Sequence, residues 1–217
     1  MPNTLRRPIA TRDTAWAAAA ARWLARRGVQ PNAISVGSVV FATLAGGCLA
    51  ATGHVEGLFA KAGLLFVVIV GIQGRLLCNL FDGMVAIEEA RKTPSGAIFN
   101  ELPDRFADAF ILVGAGYAVP ATSWSIELGW LAAVLAVTTA YVRALGGSVG
   151  AQQHFLGPMA KQHRMALLTV TCVVAIGMDL WSQPQPVFTF ALAVVVVGCL
   201  VTIARRCRAI VRDLEGT

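Results

Sequence analysis

The sequence predicts an all-α integral membrane protein, with six transmembrane helices preceded by an interfacial amphipathic helix. Three observations predict this fold class. Of the 217 residues, 56% are hydrophobic and 14% are charged, and the mean hydropathy is +0.65, which is too apolar for an ordinary soluble domain. The apolar residues form runs of about 20, the length that crosses a bilayer core of about 30 Å. Most lysines and arginines flank these runs.

The first predicted element is a helix over residues 13–28, where a run of alanines favours helix formation. Trp16, Trp23 and Leu24 lie near one another on it, and its arginines are available to the other side. Tryptophan and arginine are typical of the headgroup layer. We therefore expect this helix to lie on the membrane surface. An ordinary soluble helix at the N-terminus is the alternative.

Six apolar spans follow, and they form one membrane domain over residues 33–204 with a polar tail at 205–217. Pro31 stands at or just before the first span, where a helix start tolerates proline. No internal repeat or linker indicates a second domain. The predicted limits of the spans are residues 33–51, 58–81, 97–119, 124–145, 165–180 and 187–204.

The positive charges predict the orientation. Of the 18 lysines and arginines, six precede the first span, two follow the second, three follow the fourth and four follow the sixth. With six spans, all of these charges lie on one side. The positive-inside rule then places both termini and residues 79–108 in the cytoplasm, with the chain in an inner membrane.

The basic charge does not indicate nucleic acid. The net charge is +6, but the cations sit beside apolar spans and not in a stripe interleaved with aromatic residues. An anionic lipid surface explains them better. The cysteines are odd in number, scattered and mostly inside apolar runs, so we predict small core residues and neither disulfides nor a metal site. They are Cys48, Cys78, Cys172, Cys199 and Cys207.

Polar side chains at the end of the second span share one helix face. Asn79, Asp82 and Ala86 are spaced i, i+3 and i+7. Gly83 leaves that face open to close approach by a ligand.

The third span carries a matching stripe. Thr93 and Pro94 are predicted to open this helix as N-cap and first-turn proline. Four residues then recur every four positions and form a slowly drifting stripe on one side: Gly96, Asn100, Asp104 and Asp108.

Two helices joined by a short loop bring both stripes together. Oxygen ligands of this kind suit Mg²⁺, Mn²⁺ or Ca²⁺, and such a pocket would hold a phosphate. The alternative is that the same side chains only cap a helix end and form interhelical hydrogen bonds. Ionisable groups at membrane depth are expensive, and several converge here, which favours a functional site.

The spacing resembles the signature of the CDP-alcohol phosphotransferase family, D-x2-D-G-x2-A-R-x8-G-x3-D-x3-D. The entry to the first span at Pro31, the six-span plan and the amphipathic N-terminal helix are also similar, so the resemblance covers nearly the whole chain. The signature falls at Asn79, Asp82, Gly83, Ala86, Ile87, Gly96, Asn100 and Asp104.

The resemblance implies that a CDP-activated lipid, usually CDP-diacylglycerol, gives its phosphatidyl group to an alcohol and releases CMP, as in phospholipid biosynthesis. It implies a homodimer and a divalent metal cofactor, Mg²⁺ or Mn²⁺. The implied metal ligands are Asn79, Asp82, Asn100 and Asp104. Asp104 is also the implied catalytic base that deprotonates the acceptor. The implied nucleotide-binding residues are Gly83, Ala86 and Gly96.

The sequence departs from the signature at three positions. Asn79 and Asn100 replace aspartates, which reduces the charge of the ligand set from −4 to −2, and Ile87 replaces an arginine. Whether one or two ions bind is therefore open. Asp108 is a candidate compensating ligand, and Glu101 is a weaker one because it points about 100° away from Asn100. Arg91 is a candidate replacement for the missing cation.

The segment between the fourth and fifth spans combines several glycines with Arg143, Lys161 and Arg164. These three cations are candidate contacts to an acceptor or lipid phosphate. Positive-inside topology with lipid headgroups explains them equally well. The sequence does not identify the acceptor alcohol.

Two other functions remain as alternatives. A non-catalytic lipid- or nucleotide-binding membrane protein would keep the fold while its metal site decayed, as the two asparagines and Ile87 suggest. A small transporter is a weaker alternative, because the polar residues cluster near one membrane face and not at the midplane.

Overall fold

The computed structural model describes residues 14–88, 95–118, 124–180 and 186–216, and in these ranges it is all-helical. This confirms the predicted fold class at the level of an all-α membrane protein. The helices, in chain order, are α1 (Ala15–Arg26), α2 (Pro31–Thr52), α3 (Leu58–Glu88), α4 (Gly96–Tyr117), α5 (Ser125–Ser148), α6 (Lys161–Leu180) and α7 (Val187–Glu215).

Four of the described helices are long and apolar enough to cross a membrane: α2, α3, α5 and α7. Their mean hydropathies are 1.9, 2.0, 1.6 and 2.7. The helices α4 and α6 do not join this set; α4 carries acids and bases between Glu101 and Asp108, and α6 carries bases at its start and Asp179 near its end. The structure thus supports several spans but not the full count of six.

Several helices extend beyond the predicted spans. The helix α3 continues to Glu88 and includes Asp82, while α7 continues to Glu215 and carries the arginines of the predicted tail. Hydropathy locates the apolar crossing, whereas the backbone stays helical where the chain becomes polar. The helix α4 begins at Gly96 with Ser95 at the N-cap position; the predicted cap Thr93 and Pro94 lie outside the described residues.

The helix α1 packs on α3. Ala17 and Ala21 are fully buried, and the Trp16 ring meets the Phe81 ring edge-on at 6.1 Å between centroids. Trp23 is exposed, with the Arg27 guanidinium over its ring. A helix with one face on the bundle and exposed tryptophan and arginine is compatible with the predicted surface position. The five cysteines are all free; Cys172 and Cys199 are buried, and Cys207 is exposed.

The helices α2 and α4 touch backbone to backbone. A Cβ added at Gly46 would lie 2.3 Å from the Phe110 carbonyl oxygen, and one added at Gly114 would lie 2.3 Å from the Gly46 carbonyl oxygen. About two turns further along the chain, a Cβ added at Gly53 would lie 2.4 Å from the Tyr117 carbonyl oxygen. Small residues permit such close approach between helices in membranes, where dispersion between well-packed backbones drives association.

A buried ion triad joins α3, α4 and α6. Asp108 on α4 has one carboxylate oxygen 2.5 Å from Arg75 Nη2 and the other 2.5 Å from Arg164 Nη2. All three side chains are almost inaccessible, with Arg75 at 0% exposure. Removing one member of a buried ion pair leaves the other charge uncompensated. The triad therefore stabilises α3, α4 and α6 in one position relative to one another.

We expect Gly46→Ala to destabilise the protein by about 1–3 kcal/mol, because the new methyl group overlaps the α4 backbone. Gly47→Ala is the matched control: it is the same substitution one residue later, with no atom within 4 Å of the added Cβ. The control should be neutral or gain up to about 1 kcal/mol in helix propensity. The measurement is the free energy of unfolding in mixed detergent–SDS micelles. Equal stabilities would contradict the close α2–α4 contact.

We expect Arg75→Met to lower the free energy of unfolding by about 3–5 kcal/mol, because it removes one of the two cations that compensate Asp108. Arg22→Met is the control, since it removes the same charge from an exposed position on α1. Both variants are compared with the parent protein by the same micelle titration. An Arg75→Met protein as stable as the Arg22→Met protein would show that the triad contributes little.

Candidate active site

The predicted site residues gather at one end of the bundle, formed by the start of α2, the ends of α3 and α5 and the starts of α4 and α6. We call this the charged end. Four acids and five bases there are linked by ion pairs or electrostatic interactions: Asp82, Glu101, Asp104 and Asp108 with Arg75, Arg105, Arg143, Lys161 and Arg164. The excess of one positive charge suits an anionic ligand such as a phosphate ester.

Asp82 is placed on α3 against the start of α2. The Ser35 hydroxyl donates a hydrogen bond of 2.7 Å to Asp82 Oδ2 and lies 3.2 Å from the Pro31 carbonyl oxygen. Asp82 is only 4% exposed, and its Oδ1 has no hydrogen-bond partner among the described residues. A buried carboxylate oxygen without a partner is costly, so Oδ1 is a ready acceptor for a cation or a donor group.

Asp104 is placed on α4 against the start of α6. Lys161 Nζ lies 2.5 Å from Asp104 Oδ2, and Arg75 Nη2 lies 3.6 Å from Asp104 Oδ1. Asp104 is 5% exposed, and its Oδ1 has no hydrogen-bond partner in the described part of the chain. Asp82 interacts electrostatically with both Asp104 and Lys161. The two carboxylates therefore belong to one site, and each has one oxygen that accepts no hydrogen bond from the described residues.

The two asparagines occupy the remaining ligand positions differently. The Asn79 side-chain amide donates a hydrogen bond of 3.1 Å to the Arg75 carbonyl oxygen. Asn100 is exposed on α4, one turn before Asp104. Within the described ranges, no group of three or more His, Cys, Asp or Glu side chains could hold a metal ion. The ligand set is thus limited to two carboxylates with amide oxygens beside them.

Glu101 and Asp108, the candidate compensating ligands, are both occupied by arginines. The Arg143 Nη2 atom donates to both Glu101 carboxylate oxygens, at 2.5 and 2.6 Å, and Arg105 contacts the same carboxylate at 3.1 Å. Asp108 belongs to the buried triad. For either residue to bind a metal, these ion pairs must open, so the structure favours a structural role for both.

The small residues predicted to admit the nucleotide lie on the two helices of the site. Gly83 directly follows Asp82, with Ala86 one turn later, and Gly96 is the first residue of α4; all three are partly exposed. Ile87, which replaces the signature arginine, is 59% exposed. Arg91, the candidate replacement for that arginine, lies outside the described residues.

The three predicted phosphate contacts each pair with an acid of α4. Arg143 pairs with Glu101, Lys161 with Asp104 and Arg164 with Asp108. Arg143 and Lys161 remain partly exposed, whereas Arg164 is 1% exposed and also donates to the Met159 carbonyl oxygen at 2.7 Å.

The loop before α6 fixes where Lys161 stands. Arg206 on α7 donates to the Leu156 carbonyl oxygen at 3.0 Å, and the Met159 amide donates to the Thr202 hydroxyl at 3.0 Å. His154, which has no motif around it in the sequence, lies 2.8 Å from an Asp213 carboxylate oxygen. The loop is thus tied to α7 immediately before Lys161.

Two residues of the site were missed by sequence reasoning. Arg75 carried a usable signal, because an ionisable residue inside an apolar span requires a buried partner. Ser35 carried none, because a serine near a helix start is ordinary and its partner is 47 residues away.

No protein-family model matches this chain, and no curated protein matches it in sequence. Its fold is similar to solved structures of phosphatidylinositol phosphate synthase from Mycobacterium tuberculosis. The structure with CDP-DAG bound has a TM-score of 0.70 and 19% identity over 91% of this chain and 94% of that one. The complex with manganese and citrate has a TM-score of 0.71 and 19% identity over 89% and 88%. The apo form has a TM-score of 0.68 and 20% identity over 88% and 94%. At these identities the comparison establishes a shared fold.

Proposed function

We propose that this protein is an enzyme that transfers a phosphatidyl group from a CDP-linked lipid, such as CDP-diacylglycerol, to an alcohol and releases CMP. One observation carries the proposal: Asp82 and Asp104, at the signature spacing, lie buried in one site, and each keeps one carboxylate oxygen without a hydrogen-bond partner. The shared fold supports it, because the solved relatives are a synthase seen with CDP-DAG and with manganese.

The residues present fit a divalent cation, Mg²⁺ or Mn²⁺. Asp82 Oδ1 and Asp104 Oδ1 are buried oxygens that lack partners, and carboxylate and amide oxygens are the ligands that hard cations prefer. We propose Asp82 and Asp104 as ligands, with the amide oxygens of Asn79 and Asn100. When bound, the cation would offset negative charge on the pyrophosphate as it reacts.

We propose Asp104 as the base of the transfer. The acceptor hydroxyl oxygen forms a bond to the lipid-side phosphorus, the bond from that phosphorus to the bridging oxygen breaks, and CMP leaves with that oxygen. The acceptor proton passes to Asp104. Lys161 holds Asp104 Oδ2 and so fixes the orientation of the carboxylate, and each carboxylate oxygen carries two lone pairs, so ligation and proton acceptance are compatible.

The remaining residues bind the nucleotide or a phosphate group, or they position the helices of the site. Gly83, Ala86 and Gly96 leave room for the nucleotide beside Asp82. Arg143 and Lys161 are partly exposed and are the proposed contacts to the acceptor or lipid phosphate, whereas buried Arg164 positions α4 through Asp108. The acceptor alcohol remains to be identified, and a homodimer remains a prediction from the family resemblance.

A non-catalytic lipid- or nucleotide-binding protein is the second candidate. The 2.5 Å contact between Lys161 and Asp104 favours it, because a cation already neutralises the proposed base. The two candidates differ in turnover, since the binding protein would hold the CDP-lipid without releasing CMP.

We also propose six spans, with α1 on the surface of an inner membrane and both termini and the charged end in the cytoplasm. The helices α4 and α6 have 22 and 20 residues, or about 33 and 30 Å at 1.5 Å per residue, enough to cross a bilayer core. Their charges lie toward the charged end, apart from Asp179 near the other end of α6. Polar residues that face the bundle interior are tolerated in spans.

Purified protein incubated with CDP-diacylglycerol, Mn²⁺ or Mg²⁺ and a panel of alcohols should release CMP. Asp104→Asn should reduce the rate by about 10²- to 10⁴-fold, the contribution typical of a general base, with a smaller effect on nucleotide binding. Asp82→Ala should weaken metal and nucleotide binding together. Glu127→Gln, an acid removed from the start of α5, is the control and should retain full activity. Lipid binding without CMP release from any acceptor would support the second candidate.

The six-span topology predicts that Glu127→Cys in intact cells reacts with a membrane-impermeant maleimide. Glu127 lies in the first turn of α5, which faces outward only if α4 crosses the membrane. Native Cys207 is the internal control, because it is exposed on α7 near the charged end and should react only after permeabilisation. Labelling of position 127 only after permeabilisation would show that α4 does not cross.

A further inference from the structure

We propose that the site holds one divalent cation per chain and that the Lys161 ammonium group takes the place of a second. The inference rests on the proposed function and concerns how this chain satisfies its charge. It starts from the carboxylate oxygens of the site. Asp82 and Asp104 each have one oxygen engaged, by Ser35 and Lys161 respectively, and one buried oxygen without a hydrogen-bond partner.

Charge limits the number of cations. With asparagine at positions 79 and 100, the four ligand positions carry two negative charges. Because Lys161 lies beside them, one divalent ion already brings this set to a net charge of +1. Glu101 and Asp108 do not add to this set, because arginines occupy both carboxylates. A second divalent ion would raise the net charge of a largely buried site, at a high cost in electrostatic free energy.

Lys161 already supplies positive charge at the site. Its ammonium group lies 2.5 Å from Asp104 Oδ2 and interacts electrostatically with Asp82. The side chain stands at the first residue of α6, directly after the loop that is tied to α7, so its position is fixed by the fold.

An ammonium group can supply part of the electrostatic stabilisation that a metal ion provides. It is a compact point charge with three donors and is a common phosphate ligand in proteins. Beside the proposed base it can stabilise charge on a phosphate oxygen while it holds the Asp104 carboxylate in place. The two asparagines and Lys161 are then parts of one arrangement, in which a fixed protein cation accompanies a single exchangeable one.

The test counts Mn²⁺ ions bound per chain, by electron spin resonance of free Mn²⁺ during titration of the purified protein in detergent. The parent protein should bind one ion. Asn79→Asp with Asn100→Asp should still bind one, more tightly, because Lys161 keeps its place. Adding Lys161→Gln to that pair should create a second site. Lys61→Gln in the same pair is the matched control, since it removes a lysine near the other end of α3, and should leave one ion.

The single variant Lys161→Gln should bind its one ion about tenfold more tightly, because a neighbouring positive charge is removed. Two ions on the parent protein, or two on the aspartate pair while Lys161 is intact, would overturn the proposal, as would no ion on the parent. The number of Mn²⁺ ions bound by the parent protein tests the proposal even if no variant folds.

The CMP assay separates this inference from the proposed function. One Mn²⁺ per chain with no CMP release from any acceptor would support the inference and reject the transferase. CMP release that persists in a chelator, from a protein that binds no Mn²⁺, would support a transferase and overturn the inference.

Discussion

The pairing of buried charges is the constraint on which the rest of the structure depends. Asp108 is buried between packed helices, where an unpaired carboxylate would cost several kcal/mol. Its two oxygens contact Arg75 on α3 and Arg164 on α6. These contacts fix the rotation and height of α4 relative to both helices. Asp104 lies one turn earlier on α4 and is therefore presented to Lys161 at the start of α6.

Close packing provides the second half of this arrangement. The glycine contact between α2 and α4 is backbone-to-backbone, whereas a polar contact between α2 and α3 is the Ser35–Asp82 hydrogen bond. The helix α2 thus contacts both helices that carry the site, α3 through the hydrogen bond to Asp82 and α4 through the glycine contact. Ser35 holds one oxygen of Asp82 and Lys161 holds one oxygen of Asp104, while the other oxygen of each accepts no hydrogen bond from the described residues.

The sequence predicted the helices well, because apolar length and flanking charge are local signals that a membrane fold cannot avoid. It predicted the ends of α3 and α7 less well. Hydropathy falls where the sequence becomes polar, whereas both helices continue beyond that point. Within the site, spacing placed Asp82 and Asp104 on facing stripes. It did not reveal that Asp108 and Glu101 were already paired, because their partners Arg75 and Arg143 lie 33 and 42 residues away. A long-range ion pair leaves no periodic signal in a single sequence.

Charge balance also bears on how such a site can work with two asparagines. The linked side chains of the charged end include one more base than acid, so they attract an anionic substrate without depending on metal ions alone. A site rich in carboxylates repels a pyrophosphate until cations bind. A site in which arginines and a lysine neutralise most of the acids does not repel it. Under the family resemblance, asparagine in place of aspartate at positions 79 and 100 would weaken metal binding and substrate repulsion together. The substitutions are consistent with a working transferase in which fixed side-chain cations carry a larger share of the electrostatic stabilisation.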